Sequence, residues 1–356
     1  MAMSESRALT VDDTAQQALF HALTRGGLAP VNGPTLVWRG VPGRGLEIGR
    51  DWQWLQSFKP HADALIAQGR SVLEVEPEAG SQAQVLLLAP RQRDEARAAM
   101  ARALDWLAPG GRLLVAATNN EGARSVMTDL QALCRLDGEL SKHKCRVAWA
   151  VPDEARVDAG LRAAWAGMDE VRKGPAGYFT RPGLFAWDRV DAASSLLLSQ
   201  LPAVLAGRMA DLGAGYGLLA AHLLRHCPGL KSLDLYEAEA RALPAAQLNL
   251  RQAATETGRE VPIRLLWSDV SQGLDGRYEV VVSNPPFHLG RADVPALGQA
   301  FIQAAAEALV PSGQLYLVAN RHLPYEDLLR RRFDEVRTLV DAQGFKVIRA
   351  TALRTR

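Results

Sequence analysis

The chain has 356 residues, 48% of them hydrophobic and 22% charged, with a formal net charge of +2 at pH 7. That length is enough for two domains, and the composition is that of an ordinary soluble globular protein. So small a charge excludes a global attraction to nucleic acid, and any such surface must come from local clusters of basic residues.

The first twenty residues carry Glu5, Asp12 and Asp13 and have no apolar core, so they do not read as a signal peptide. Residues 12–25 read as an amphipathic helix with Ala15, Leu19 and Leu23 inward. Gly40, Gly43 and Gly45 follow no apolar strand and enclose Pro42, so they read as loop glycines. Residues 84–90 read as a buried strand stopped by Pro90. A helix over 95–107 follows, then a turn and strand over 108–117 that runs to Asn119 and Asn120. A helix over 154–171 and an exposed turn at 173–177 put a domain boundary between Ala148 and Gly174. No run approaches the ~18 apolar residues of a membrane span. Cys134, Cys145 and Cys227 have no metal spacing, and their odd number suits a reducing compartment, so a cytoplasmic location is expected.

The second half carries the chemistry. After a helix over 192–205, a short strand runs into Asp211-Leu212-Gly213-Ala214-Gly215-Tyr216-Gly217 and then into a helical pattern over 218–226. Glycines let a backbone approach a ligand and take positive φ, and the following helix N-terminus favours a polar or anionic group. The Gly-x-Gly-x-Gly spacing departs from a dinucleotide fingerprint. A second strand, 230–236, ends in Glu237, 20 residues after Gly217, where an acid can take ribose hydroxyls. His222 and His226 share a helix face at i and i+4, but Leu223 stands where a zinc protease has Glu, so no metal is expected.

The apolar run ending at Val282 leads into Ser283-Asn284-Pro285-Pro286-Phe287-His288. Two prolines cannot extend a strand or enter a helix interior, so the chain leaves the sheet in a stiff turn. That turn holds an amide and an aromatic ring close together at a strand end, a pairing suited to a planar group with an exocyclic amine. A turn and strand over 310–319 follow, then a helix bearing Arg330, Arg331 and Arg332, a run that is usually a solvated face.

On these motifs, residues 174–356 resemble a class I S-adenosylmethionine-dependent methyltransferase. Asp211 to Gly217 is similar to its first motif, Glu237 to its ribose acid, Trp267-Ser268-Asp269 to its adenine contact, and Asn284-Pro285-Pro286-Phe287 to its amine-methylating tetrapeptide. Phe179-Thr180-Arg181-Pro182-Gly183-Leu184 stands upstream and Phe345 to Ala350 at the end. With these the chain resembles the guanine-amino methyltransferases of ribosomal RNA, those known as methyltransferase C for the small ribosomal subunit and methyltransferase G for the large one. The resemblance implies S-adenosylmethionine bound by Asp211, Gly213, Gly215, Glu237, Asp269 and Asn284. It implies catalysis by Asn284, Pro285 and Phe287, and a substrate of ribosomal RNA or a ribosomal subunit, the small one favoured. A monomer with no membrane partner is expected.

The first half repeats the second in outline, since 84–90 parallels 280–285 and 108–117 parallels 310–319. It lacks both the glycine turn and the Asn-Pro-Pro motif. The expected fold is therefore α/β, two tandem Rossmann-like methyltransferase domains, with a degenerate domain at 1–170 for RNA binding and support and a catalytic domain at 171–356. Arg39, Arg44, Arg50, Lys59, Lys142, His143 and Lys144 are candidates for holding phosphates.

The exocyclic amine of guanine or adenine is a poor nucleophile because its lone pair is delocalised into the ring. The Asn284 side-chain oxygen and the Pro285 carbonyl can accept its hydrogens and localise that lone pair, while Phe287 stacks on the base. Positioning then carries most of the catalysis and no strong base is needed. For His288 a structural role is favoured over a proton relay. A glutamine-amide protein methyltransferase and a non-catalytic RNA-binding assembly protein are the alternatives.

Overall fold

The computed structural model describes residues 13–43, 49, 51–286, 288–289, 292–293 and 295–353. Two compact units divide the chain, Met1–Glu170 and Val171–Arg356.

In the first unit the elements run α1 (Thr14–Arg25), β1 (Thr35–Trp38), β2 (Gln53–Leu55), α2 (Lys59–Ala67), β3 (Ser71–Val72), β4 (Gln82–Leu88), α3 (Arg93–Trp106), β5 (Leu107–Thr118), α4 (Ala123–Leu133), β6 (Gly138–Lys142), β7 (Cys145–Ala150) and α5 (Ala159–Ala166). They build a seven-stranded sheet of order β3-β2-β1-β4-β5-β7-β6. Only the β5–β7 and β6–β7 pairings are antiparallel. Alternation along the central strands divides the core. Leu36, Trp38, Val85 and Leu87 pack on one face, and Val37 and Leu86 on the other.

The second unit contains β8 (Arg172–Lys173), β9 (Phe179–Thr180), α6 (Ala192–Leu198), β10 (Ala206–Leu212), α7 (Leu218–His226), β11 (Gly229–Glu237), α8 (Leu243–Thr257), β12 (Ile263–Trp267), β13 (Tyr278–Ser283), β14 (His288–Leu289), β15 (Ala292–Asp293), α9 (Pro295–Ala308), β16 (Leu309–Asn320), α10 (Glu326–Arg332), β17 (Phe333–Ala342) and β18 (Phe345–Leu353). Its main sheet has the order β12-β11-β10-β13-β16-β18-β17, strand for strand the order of the first. The two α/β units are therefore duplicates in topology. Both faces of the parallel centre are covered, which is why β13 reads as a continuous apolar run. Val280 and Val282 join one core and Val281 the other.

Neighbouring β10 and β13 are connected outward to opposite halves of the sheet. Ligands of doubly wound sheets bind outside the carboxyl ends of the strands at such a switch point. Both sequence motifs leave the sheet there.

Two helices are shorter than the sequence pattern predicts. The one expected over 154–171 is Ala159–Ala166. Asp158 accepts from the Leu161 amide at 2.9 Å and so fixes its start, Val157 is held in an extended bridge to Cys134, and Gly167 ends it. The helix expected over 192–205 stops at Leu198. Pro202, with no N–H and a disfavoured helical residue before it, forces a turn that closes from Leu205 N to Pro202 O at 3.3 Å. Arg44, Arg50, Gly45 and Phe287 lie outside the described residues, as does the side chain of His288. No described helix is long and apolar enough to cross a membrane.

Candidate active site

Asp211, near the end of β10, is fully buried. One carboxylate oxygen, Oδ2, accepts from the amide of Ala220 at 3.0 Å, in the first turn of α7. It thus supplies the cap that Gly217, the residue before that helix, has no side chain to give. Oδ1 is buried without a hydrogen-bond partner among the described residues. Burial drives the Asp211 carboxyl up to about 7, the Ala220 amide opposes the shift, and the charge of Glu237 adds to it.

The turn above Asp211 needs its glycines. Gly213, Gly215 and Gly217 have φ of +70°, +54° and +80°. A Cβ on Gly213 would lie 3.2 Å from the Phe301 ring and 3.9 Å from the Asn284 carbonyl oxygen, so the two motifs meet here. In front of Gly215 a Cβ would meet nothing within 4 Å, which leaves an open cradle. Glu237 shapes the turn from β11. Its carboxylate accepts from Gly215 N at 2.6 Å and from Glu239 N at 2.8 Å. Burial raises its pKa, and those two amides pull it back. Asp269 follows β12, where its Oδ1 accepts from Ser271 N at 2.9 Å. Ser268 N donates to Glu237 O at 2.9 Å, so this segment stays beside the acid.

At the end of β13, Ser283 is buried and its Oγ donates to Leu212 O at 2.8 Å, tying the strand end to β10. Asn284 is half-buried. Its Nδ2 donates to Asp191 Oδ2 at 2.9 Å and to Ser194 Oγ at 2.8 Å. A carboxylate only accepts, so the amide nitrogen must face Asp191. Both amide hydrogens are then used, and Asn284 Oδ1 is left as an acceptor with no described donor.

Asp191 and Ser194 were not expected from sequence. They lie 93 and 90 positions before Asn284. The local signal was Asp191 standing before a helical run, the pattern of an N-cap; its Oδ2 does accept from Ser194 N at 2.8 Å. Asn249 was missed too. Buried on α8, it donates to Phe179 O at 2.8 Å and Tyr216 O at 2.7 Å and accepts from Phe179 N at 2.7 Å. It thereby joins the upstream strap to the glycine turn. Arg241 holds the same strap by donating to Pro182 O at 3.0 Å.

The structure thus gathers Asp211, Gly213 and Gly215 at the end of β10 with Glu237 at the end of neighbouring β11, and brings Asn284 in from the end of β13 on the other side. Asp269 reaches them through its neighbour Ser268. A methyltransferase small domain model matches residues 177–349. Ribosomal RNA small subunit methyltransferase C of Pseudomonas aeruginosa is 31% identical over 306 residues, covering 86% of this chain and 90% of that protein. The chain belongs to the ribosomal RNA small subunit methyltransferase C family. Its Shewanella baltica counterpart is 31% identical over 247 residues, 69% of each chain. Among solved structures, a 16S rRNA N2 G1207 methyltransferase from T. thermophilus, in complex with AdoMet and guanosine, is similar at a TM-score of 0.74 and 27% identity. It covers 93% of this chain and 91% of that one.

Among the described residues, the first unit carries no equivalent of the Asp211 and Asn284 pair. Trp38 pairs with Leu87 as Asp211 pairs with Val282, each one residue short of the partner strand's end. A buried indole therefore stands where the second unit has its acid, with the Trp106 ring at 4.5 Å and the Arg102 guanidinium at 5.3 Å. Ala89 follows β4 where Asn284 follows β13. Of the basic candidates, Arg39 pairs with Glu95 at 2.9 Å and Lys59 with Asp63 at 2.5 Å. In the second unit Arg330 and Arg332 also face acids, Asp327 and Glu307. Lys142, His143 and Lys144 are exposed and pair with no acid among the described residues. On α7 the His222 and His226 rings stand 4.3 Å apart, and burial pushes His222 down to about 4.

Proposed function

We propose that this chain transfers a methyl group to the exocyclic N2 amine of a guanine in 16S ribosomal RNA, with S-adenosylmethionine as donor. The carrying observation is Asn284, whose amide hydrogens are spent on Asp191 and Ser194 while its side-chain oxygen meets no donor among the described residues, and whose backbone carbonyl lies next to Gly213.

The residues fit the donor. Open space in front of Gly215 is accompanied by two sets of acceptors, the unpartnered Oδ1 of Asp211 and the carboxylate of Glu237, which itself accepts from the Gly215 amide. S-adenosylmethionine is a cation rich in N–H and O–H donors. In this reading Gly213 and Gly215 let the backbone approach it, Glu237 takes ribose hydroxyls and Asp269 stands at the adenine. When bound it supplies a methyl group on a positively charged sulfur.

Asn284 Oδ1 and the Pro285 carbonyl accept the two amine hydrogens and turn the nitrogen lone pair out of the ring. Phe287 stacks on the base, an interaction worth ~1–3 kcal/mol. A new N–C bond forms as the S–C bond breaks, sulfur keeps the electron pair, and the acidic methylammonium sheds one proton to water. A paired guanine must first be unstacked or presented single-stranded.

The first unit supports the second and holds RNA. Its β6–β7 turn supports this role: His143 and Lys144 take φ of +53° and +58°, where glycine or asparagine is favoured. Strain at an exposed, unneutralised basic turn is the pattern of a functional contact. The reaction itself is tested with Asn284→Ala, which should lose transfer to 16S RNA by 100-fold or more, on the order of the loss of a single transition-state hydrogen-bonding group. Cofactor affinity should stay within about twofold. Full activity in that variant would sink the reading.

A further inference from the structure

Two groups outside the sequence motifs, the Asp191 carboxylate and the Ser194 hydroxyl, converge on the Asn284 side chain. Asp191 Oδ2 accepts from Asn284 Nδ2 at 2.9 Å and from Ser194 N at 2.8 Å, and Ser194 Oγ takes the second amide hydrogen at 2.8 Å. Ser194 is buried, and Asp191 is half-buried at the start of α6. A neutral partner would suffice to hold the rotamer. A carboxylate does more. Its negative charge lies directly behind the amide, and hydrogen bonds to an ionised group are shorter and about twice as strong as neutral ones.

We infer that Asp191 is a positioning residue that acts through Asn284, its negative charge polarising the amide toward the target amine. The inference rests on the reading of Asn284 given above. Withdrawal of the amide hydrogens toward Asp191 enriches Oδ1 in electron density, so Oδ1 becomes a stronger acceptor. During transfer the positive charge moves from the donor sulfur to the amine nitrogen, and so toward Asn284 and Asp191. An anion at that end gains on passing from ground state to transition state, which is the condition for raising kcat rather than tightening binding. The bonding changes are those already described, with the proton again released to water.

Asp191→Asn separates charge from shape. Both bonds made to Asp191 end on one oxygen, so the amide oxygen of asparagine can accept both and can still cap α6. We expect kcat to fall about ten- to a hundredfold, with KM for S-adenosylmethionine and RNA and the Tm essentially unchanged. Asp191→Ser, a second neutral cap, should lose at least as much. Ser194→Ala removes the neutral anchor and should cost less than Asp191→Asn. In the Asn284→Ala background, Asp191→Asn should cost nothing further, because its effect passes through that amide.

Wild-type kcat in Asp191→Asn or Asp191→Ser would overturn the inference. So would an equal loss in Ser194→Ala, which would make the clamp a matter of holding alone, or additive losses in the double variant. Activity retained by Asn284→Ala would instead overturn the underlying assignment, so the two failures are distinguishable.

Discussion

Gly215 and Gly258 form a matched pair for locating the cofactor. Their φ values are +54° and +64°, and a Cβ on either would meet nothing within 4 Å. Alanine at each therefore adds backbone strain and no clash. An L-residue in the left-handed region costs ~1–2 kcal/mol. For a domain of 150–250 residues, each kcal/mol lowers Tm by about 2–4 °C. Both variants should thus fall by several degrees and by similar amounts when cofactor-free. Gly258 merely ends α8, whereas Gly215 faces the open cradle and donates to Glu237. Calorimetric titration with S-adenosylmethionine should show Gly215→Ala weakened at least tenfold and Gly258→Ala unchanged. Addition of saturating cofactor should then restore less Tm to the first than to the second. Wild-type affinity in Gly215→Ala, or an equal loss in Gly258→Ala, would refute the cradle as the cofactor site.

Asp211 predicts a pH effect on the cofactor-free protein. Its folded carboxyl lies near 7, above the ordinary value, so burial opposes ionisation. The contribution of Asp211 to stability should fall as pH rises from about 4 to about 7 and level off above. The drop is on the order of 4 kcal/mol at 1.36 kcal/mol per unit. Urea denaturation should therefore find Asp211→Asn gaining on wild type between pH 5 and pH 8; a constant difference would argue against a buried, titrating acid. Lys142→Glu with Lys144→Glu should weaken 16S RNA binding and flatten its salt dependence, read by filter binding across salt, while cofactor affinity is kept. Unchanged RNA affinity would remove the first unit's turn from the interface.

What could be read from sequence followed the strength of local signals. Helix α7 matches its expected span, 218–226, because a glycine turn and a short polar end bound a strongly apolar stretch. Strand β13 was legible because burial on both faces gives an unbroken apolar run. Strand β17 gave no such signal, being an edge strand with Glu335, Arg337, Thr338 and Asp341 among its residues. The short β2 and β3 were equally silent. In the candidate site, Asp211, Gly213, Gly215, Glu237 and Asn284 could be named because each sits in a motif. Asp191 and Asn249 could not be, since their contacts span 93 and 70 positions and arise only when the sheet brings strand ends together.

The central claim is tested most directly by the modified nucleoside. The full chain should be incubated with methyl-labelled S-adenosylmethionine and, separately, with naked 16S RNA and assembled small subunits, followed by digestion and mass spectrometry of the nucleosides. N2-methylguanosine, absent when Asn284→Ala replaces the wild type, is the predicted product. Label on adenine, on a ring carbon, on a ribose oxygen or on ribosomal protein would contradict the account.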